Sequence, residues 1–372
     1  MMNRFDIPLL FVTLSLLIFG TVMVYSSSAF LAEKSSHFGS ESYFLKRHLL
    51  RLIFGILALF LCMRIDYRIW RRLAKPLLLS GILLLLVVIV SGREIHGARR
   101  WIQLSFLSLQ PSELIRLVLI LYLASFLTKN PERLREFKNI VPLLLILGLV
   151  TLLILLEPNF GTAFALLLLS FLLLYLGGAR ITHLFSVGLG GGVVMLLLAL
   201  HIPYSKMRLL SFIKGGGYQL ERSLLGVGAG GIFGSGLGTG REKLLFLPEP
   251  HTDFIFATVA EELGFLGGGI LLFLYLLLLI RGIQISRRAV DPFGSILAFG
   301  LILSIFIYVI LHGGVVLGFL PTTGLPLPFM SFGGTALLVN LMSVGIVLNI
   351  SQNSLVSQKM EKSSISRRSL SR

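Results

Sequence analysis

The chain has 372 residues, of which 55% are hydrophobic and 13% charged, and its formal net charge is +16. Soluble globular domains carry about 25% charged residues, so the composition excludes that class and points to an all-α polytopic membrane protein. The cations lie in segments between apolar runs and form no soluble basic domain, which argues against a nucleic-acid partner.

About ten runs are long enough to cross ~30 Å of hydrocarbon at ~1.5 Å per residue. They are Ile7–Ser26, Leu49–Met63, Pro76–Ser91, Leu114–Leu127, Ile140–Leu156, Thr162–Leu176, Leu184–Ile202, Phe254–Ile280, Ile296–Leu317 and Phe329–Ile350. Arg64, Arg68, Arg71, Arg72 and Lys75 follow the second run, Lys129, Arg133, Arg135 and Lys138 the fourth, and Arg281, Arg287 and Arg288 the eighth. Together with Arg4 and the tail cations Lys359, Lys362, Arg367, Arg368 and Arg372 they share one side, which the positive-inside rule assigns to the cytoplasm. Both termini are therefore expected in the cytoplasm of a multi-pass cytoplasmic-membrane protein. Residues 1–352 read as one transmembrane domain with a large extracytoplasmic loop at 203–253, and residues 353–372 as a disordered cytoplasmic tail. The first run reads as an uncleaved helix rather than a signal peptide, because many spans follow it. Cys62 lies alone in an apolar run, so no disulfide or thiol-metal site is available.

In the outer segment Gly92 to Ser112, the alternation around Trp101 suggests chain lying at the bilayer interface. Gln110-Pro111-Ser112-Glu113 then marks a helix start, with proline at a first helical position and Ser112 as the candidate cap. Glu113 and Arg116 are three residues apart on one helix face and can pair. A structural ion pair and a substrate-facing role both stay open. Glu157-Pro158-Asn159 splits a long apolar stretch into two spans, and Glu157 reads as an interfacial acid facing water.

The outer segment Pro203 to Thr252 holds Lys206, Arg208, Lys214, Arg222, Arg241 and Lys243 against Glu221, Glu242 and Glu249. Such an outward cationic excess suits an anionic headgroup or diphosphate. Gly226-Val227-Gly228-Ala229-Gly230-Gly231 satisfies G-x-G-x-x-G but has no βαβ context, so it reads as close backbone packing or a re-entrant loop. Next comes LPEPHTDFIFATVAEELG at Leu247–Gly264, where Asp253 opens an apolar run that contains Glu261 and Glu262. A carboxylate at a helix centre in the membrane costs roughly 2.5 to 3.5 kcal/mol, which makes an intramembrane acid a functional candidate by default. Glu261 and Glu262 would lie ~12 Å deeper than Asp253 on an ideal helix, facing a cavity or anchoring the bundle. Finally, the proline-rich segment Gly318 to Phe329 reads as a rigid loop lining a cavity that opens outward.

No Ser-His-Asp order, His-x-x-x-His pair or Walker loop is present. A lone outward carboxylate such as Asp253 could serve as general base, taking a proton from a sugar hydroxyl as it attacks an activated anomeric carbon. Nearby Lys and Arg, or a divalent cation held by Asp253, would then stabilise a leaving diphosphate. Other chemistries remain open at this level.

Seven blocks resemble the SEDS (shape, elongation, division and sporulation) family of FtsW, RodA and SpoVE. They are VMVYSSS at Val22–Ser28, GARRWI at Gly97–Ile102, LQPSEL at Leu109–Leu114, EPNFGTA at Glu157–Ala163, YQLERSLLGVGAGGIFGSGLG at Tyr218–Gly238, LPEPHTDFIFATVAEELG at Leu247–Gly264 and LPTTGLPLPFMSFGG at Leu320–Gly334. The resemblance implies a glycosyltransferase that polymerises lipid II into peptidoglycan at the outer face of the cytoplasmic membrane. Its implied partners are a class B penicillin-binding protein and further divisome or elongasome proteins. It places the family's essential aspartate on Asp253 and the glutamate and basic residue of its QPSE block on Glu113 and Arg116, where lysine is usual.

As substrate contacts, Glu113, Arg116, Arg241, Lys243, His251 and Ser331 are the expected residues. A magnesium or manganese ion at Asp253 is the expected cofactor, if one is used. Asn159, Arg222 and His312 stand where the family usually has Asp, Gln or Asn, and Asn, and no role is assigned to them. GIVLNIS at Gly345–Ser351 and GIFGSGLG resemble the FtsW branch, which favours septal synthesis in cell division. A RodA-type elongation polymerase, a lipid II flippase and a scaffold that only recruits the transpeptidase are the alternatives.

Overall fold

The computed structural model describes residues 5–34, 40–95, 98–104, 107–129, 131–244 and 247–370. Its helices are α1 (Ile7–Lys34), α2 (Tyr43–Arg64), α3 (Tyr67–Ser91), α4 (Pro111–Leu127), α5 (Phe137–Leu156), α6 (Phe160–Leu176), α7 (Ile181–His201), α8 (Pro203–Ile213), α9 (Gly217–Ala229), α10 (Ile255–Arg287), α11 (Pro292–Val316) and α12 (Gly334–Leu370). All but α8 and α9 fall on the ten expected spans. Among the described residues, α1, α3, α5, α7, α10, α11 and the first part of α12 (Gly334–Leu355) are long and apolar enough to cross a membrane, seven in all. With no water to satisfy backbone groups in hydrocarbon, helices are the form such runs take.

Local signals set several boundaries. Asp291 caps α11 by accepting from the Gly294 amide at 2.9 Å, with Pro292 at the first helical position. Pro111 opens α4 as expected, but the capping position is Gln110, and Ser112 lies inside the helix, where its Oγ accepts from Asn159 Nδ2 at 3.2 Å. The outer segment after α3 forms a three-stranded antiparallel sheet of β1 (Arg93–Ile95), β2 (Ala98–Leu104) and β3 (Leu107–Leu109). The alternation around Trp101 is thus the period of a strand, a small departure from an all-α fold. The tail departs more: α12 is continuous to Leu370, whereas the composition of 353–372 reads as disordered. No Gly or Pro stands between Gln352 and Leu370 to stop a helix that the packed span has already nucleated.

Packing centres on α11 and α12. Leu297, Leu301, Ile305 and Tyr308 of α11, with Leu341, Val344 and Val347 of α12, are buried completely or nearly so. α12 lies along α2, α10 lies against α1 and α11, and α3 lies against α4. α7 is the opposite case, with Leu184 its one buried residue and Phe185, Leu189, Val193 and Leu197 exposed. Such a surface suits contact with lipid tails.

α10 is broken at Gly264, whose φ of 68° and ψ of −166° are open to glycine and costly for other residues. The glycine-rich turn after α9 closes the break. Amides of Phe265 and Leu266 donate to the Gly231 and Ile232 carbonyls, and amides of Ser235 and Gly236 donate to the Glu261 and Glu262 carbonyls. A Cβ on Gly264 would collide with the backbone of Ile232 and Gly234. The glycines therefore serve close backbone packing, and irregular backbone is tolerated because protein shields it.

Candidate functional site

β2, α8, α9, the turn before α10 and the proline-rich segment before α12 enclose a cavity of about 820 Å³. Its polar wall is cationic: Arg100 comes from β2, Arg208 from α8 and Lys243 from the outer segment, opposed by Glu249 and Asp253. Trp101, Tyr204, Tyr218 and Phe332 supply aromatic surface to the same wall. A binding space that mixes fixed cations with flat apolar faces fits an amphiphile carrying sugar and phosphate groups.

Asp253 sits one residue before the Phe254 cap of α10, its amide donating to the Glu249 carbonyl at 3.2 Å. Burial pushes its carboxyl above the usual carboxylate range, the Glu249 charge adds to that, and the guanidinium groups of Arg208 and Arg100 oppose it. Both arginines are held in place. Arg208 Nη1 donates to the Thr322 carbonyl at 3.2 Å, with its guanidinium 4.5 Å from the Tyr204 ring centre. Arg100 Nε donates to the Glu157 carbonyl at 3.0 Å, Nη2 donates to that of Pro158, and the guanidinium lies 5.5 Å from the same Tyr204 ring. One tyrosine thus organises two cations beside one carboxylate.

Of the expected site residues, Asp253, His251 and Lys243 line the cavity, while Glu113, Arg116, Arg241 and Ser331 lie outside its wall. His251 packs its ring 4.7 Å from Phe44 and 5.7 Å from Phe332, and burial lowers its pKa, so the ring is neutral. Lys243 is 4% exposed, with its ammonium bound to Glu262 and, at 3.0 Å, to Ser26 Oγ. Its charge is used inside the protein.

Ser331 Oγ donates to the Thr252 carbonyl at 2.6 Å and accepts from the Leu327 amide at 2.8 Å, which ties the proline-rich segment to the turn carrying Asp253. The Arg241 side chain is exposed, while its backbone amide donates to Glu261. Glu261 and Glu262 prove to be anchors: Glu261 also accepts from the Glu242 amide, and Glu262 from Ser26, Lys243 and the Gly238 amide. Glu113 and Arg116 do pair, at 3.2 Å and both 1% exposed, within the bundle, where Tyr308 donates to Glu113 and Arg116 donates to Asn340.

Two residues at the centre of the site, Arg100 and Arg208, had no assigned role in the sequence. Their signals were available, in GARRWI and in the outer cationic excess, but neither said which of several cations turns inward. Glu157 corrects the expectation of a water-facing acid. It is 0% exposed, its carboxylate oxygens have no protein partner, and burial raises its pKa to about 8 against the opposing charge of Arg100. Arg222 pairs with Glu242 at 3.8 Å, and His312 stands behind Asp253 on α11. Among the described residues no group of three or more His, Cys, Asp or Glu side chains is arranged to hold a metal.

The profile of the cell cycle protein family of FtsW, RodA and SpoVE matches residues 7–355. Stage V sporulation protein E of Bacillus subtilis is 41% identical over 358 residues, covering 94% of this chain and 97% of that protein. A probable peptidoglycan glycosyltransferase FtsW of Geobacter metallireducens is 39% identical over 358 residues, covering 94% and 95%. Among solved structures, the rod shape determining protein RodA of Thermus thermophilus matches with a TM-score of 0.72 at 30% identity, over 94% of this chain and 98% of that one. A peptidoglycan synthase complex, solved to address the coordination of polymerization and crosslinking, matches with a TM-score of 0.77 at 31% identity over the same shares.

Proposed function

The chain belongs to the FtsW, RodA and SpoVE family of cell cycle proteins, and from that premise we propose that it is a peptidoglycan glycosyltransferase joining lipid II units into glycan strands. The observation that carries the reading is Asp253 at the wall of an 820 Å³ cavity beside Arg100 and Arg208. It is supported by the FtsW and SpoVE relatives and by the likeness to a peptidoglycan synthase complex.

In this reading Asp253, as carboxylate, accepts the proton of an acceptor sugar hydroxyl. The hydroxyl oxygen bonds to the anomeric carbon of the donor as the carbon's bond to the diphosphate oxygen breaks. A base whose pKa is raised by burial is better matched to that transfer than a solvent-exposed carboxylate. Arg208 and Arg100, already held by carbonyls and by Tyr204, meet the charge that develops on the diphosphate without reorganising. A magnesium or manganese ion fits only as an ion carried in largely by the diphosphate, with Asp253 as its protein ligand; such an ion would supply further charge neutralisation.

The cavity lies on the side away from the Arg- and Lys-rich loops, which supports synthesis outside the cytoplasmic membrane with both termini inside. The partner proposed is a class B penicillin-binding protein that crosslinks the product, and the setting proposed is the division septum, on the strength of GIVLNIS and GIFGSGLG. The test is glycan-strand formation from lipid II by the purified chain with such a partner. Transbilayer movement of labelled lipid II without polymer would contradict the reading.

A further inference from the structure

Behind Asp253 lies a second, smaller chamber of about 10 Å³, bordered by Asp253, Arg208, Gln219, His312, Val315 and Thr323 among others. That is about the room one water needs, and a buried water also needs two or more polar partners. His312 is 1% exposed, and its Nδ1 lies 2.8 Å from the Leu325 carbonyl oxygen. A carbonyl can only accept, so Nδ1 carries the proton, and the neutral ring leaves Nε2 as an acceptor. Nε2 is buried with no protein partner. Asp253 and a histidine with one unpartnered acceptor therefore border the same water-sized space, and a water there has two protons to give.

We propose that one buried water bridges the Asp253 carboxylate and His312 Nε2, making His312 a positioning residue for the base. This rests on the reading of Asp253 as general base. The bridge holds one carboxylate oxygen from behind and leaves the other toward the large cavity, where the acceptor hydroxyl arrives. Arg208, Gln219 and Thr323 border the same chamber and can supply a donor to the water oxygen. Because the bridge touches no substrate atom, it governs the chemical step and not substrate binding.

The test is lipid II polymerisation by the full chain with its class B partner, comparing wild type, His312→Leu, His312→Asn and Asp253→Asn. His312→Leu removes both polar atoms, and kcat is expected to fall about 10- to 100-fold, the range for loss of an orienting partner, with KM within about twofold. His312→Asn offers the Leu325 carbonyl a donor and the water an acceptor, and is expected to recover kcat to within about threefold of wild type. Wild-type kcat in His312→Leu, or a loss in His312→Asn as deep as in His312→Leu, would overturn the proposal. If His312→Leu does not fold, Val315→Met takes its place, filling the chamber while sparing both partners, with the same loss expected. Asp253→Asn separates the two readings: activity there removes the base itself, whereas inactivity there beside an unimpaired His312→Leu removes only the bridge.

Discussion

Asp253 and Arg208 meet across a single glycine: a Cβ on Gly324 would lie 3.3 Å from Asp253 Oδ2 and 3.7 Å from Arg208 Nη1. Gly324 also has a φ of +74°, which costs other residues about 1–2 kcal/mol. Gly324→Ala is therefore expected to strain the loop, to press the Asp253 carboxylate away from its place beside Arg208 and to lower polymerisation about tenfold or more. A variant with wild-type kcat would show that the two side chains need no such closeness.

Arg208 is expected to act through its planar fork, since one edge is bound to the Thr322 carbonyl and its face is stacked on Tyr204. Arg208→Lys keeps the charge and loses both contacts, so KM for lipid II should rise about tenfold, worth about 1.4 kcal/mol. Arg100→Lys should behave alike, since its carbonyl contacts to Glu157 and Pro158 are equally directional. Steady-state kinetics on both variants decides; unchanged KM in both would remove the cationic wall from substrate binding.

The acid limb of the pH–rate profile should report Asp253. The base works as carboxylate, and burial raises its pKa, so activity should fall as pH drops through a value above the ordinary carboxylate range. An acid limb at or below that of a free carboxylate would contradict the buried-base reading.

Glu157 makes a prediction about stability with the opposite dependence from most acids. Its folded pKa of about 8 lies above the unfolded value of 4.5, so its contribution is fully present below pH 4.5 and is lost as pH rises through 8. Glu157→Gln removes that dependence. Thermal unfolding in detergent should show the variant matching wild type near pH 5 and exceeding it at pH 9. A constant difference across that range would mean Glu157 does not titrate there.

Lys243 and Glu262 form a buried pair, and cutting one partner leaves the other charge buried. Lys243→Met or Glu262→Leu alone is expected to cost about 3–5 kcal/mol, with the double variant recovering much of it. Melting temperatures of the three variants test this, and additive losses would contradict it.

Much of this arrangement was legible in the sequence, for identifiable reasons. Long apolar runs announce helices because hydrocarbon admits little else, and an acid at the mouth of one, Asp253, stands out because its placement is costly. The Glu113–Arg116 pair follows from helical spacing alone. What stayed hidden depends on tertiary contacts that spacing does not encode. Lys243 reads as a substrate cation until Glu262 and Ser26 are seen to hold it. Glu157 reads as wet until its side chain is seen buried in the turn between α5 and α6. Arg100 and Arg208 are two cations among many until Tyr204 brings them together. His312 lies in a span some sixty residues past Asp253, and only folding puts it behind that carboxylate.

The central claim is that Asp253 performs chemistry in a lipid II polymerase, and one comparison tests it most directly. Glycan-strand formation from lipid II would be measured for the purified complex with a class B penicillin-binding protein, wild type beside Asp253→Asn, with both complexes verified as folded. The account predicts strands from wild type and none from Asp253→Asn; strands of equal yield from both would contradict it.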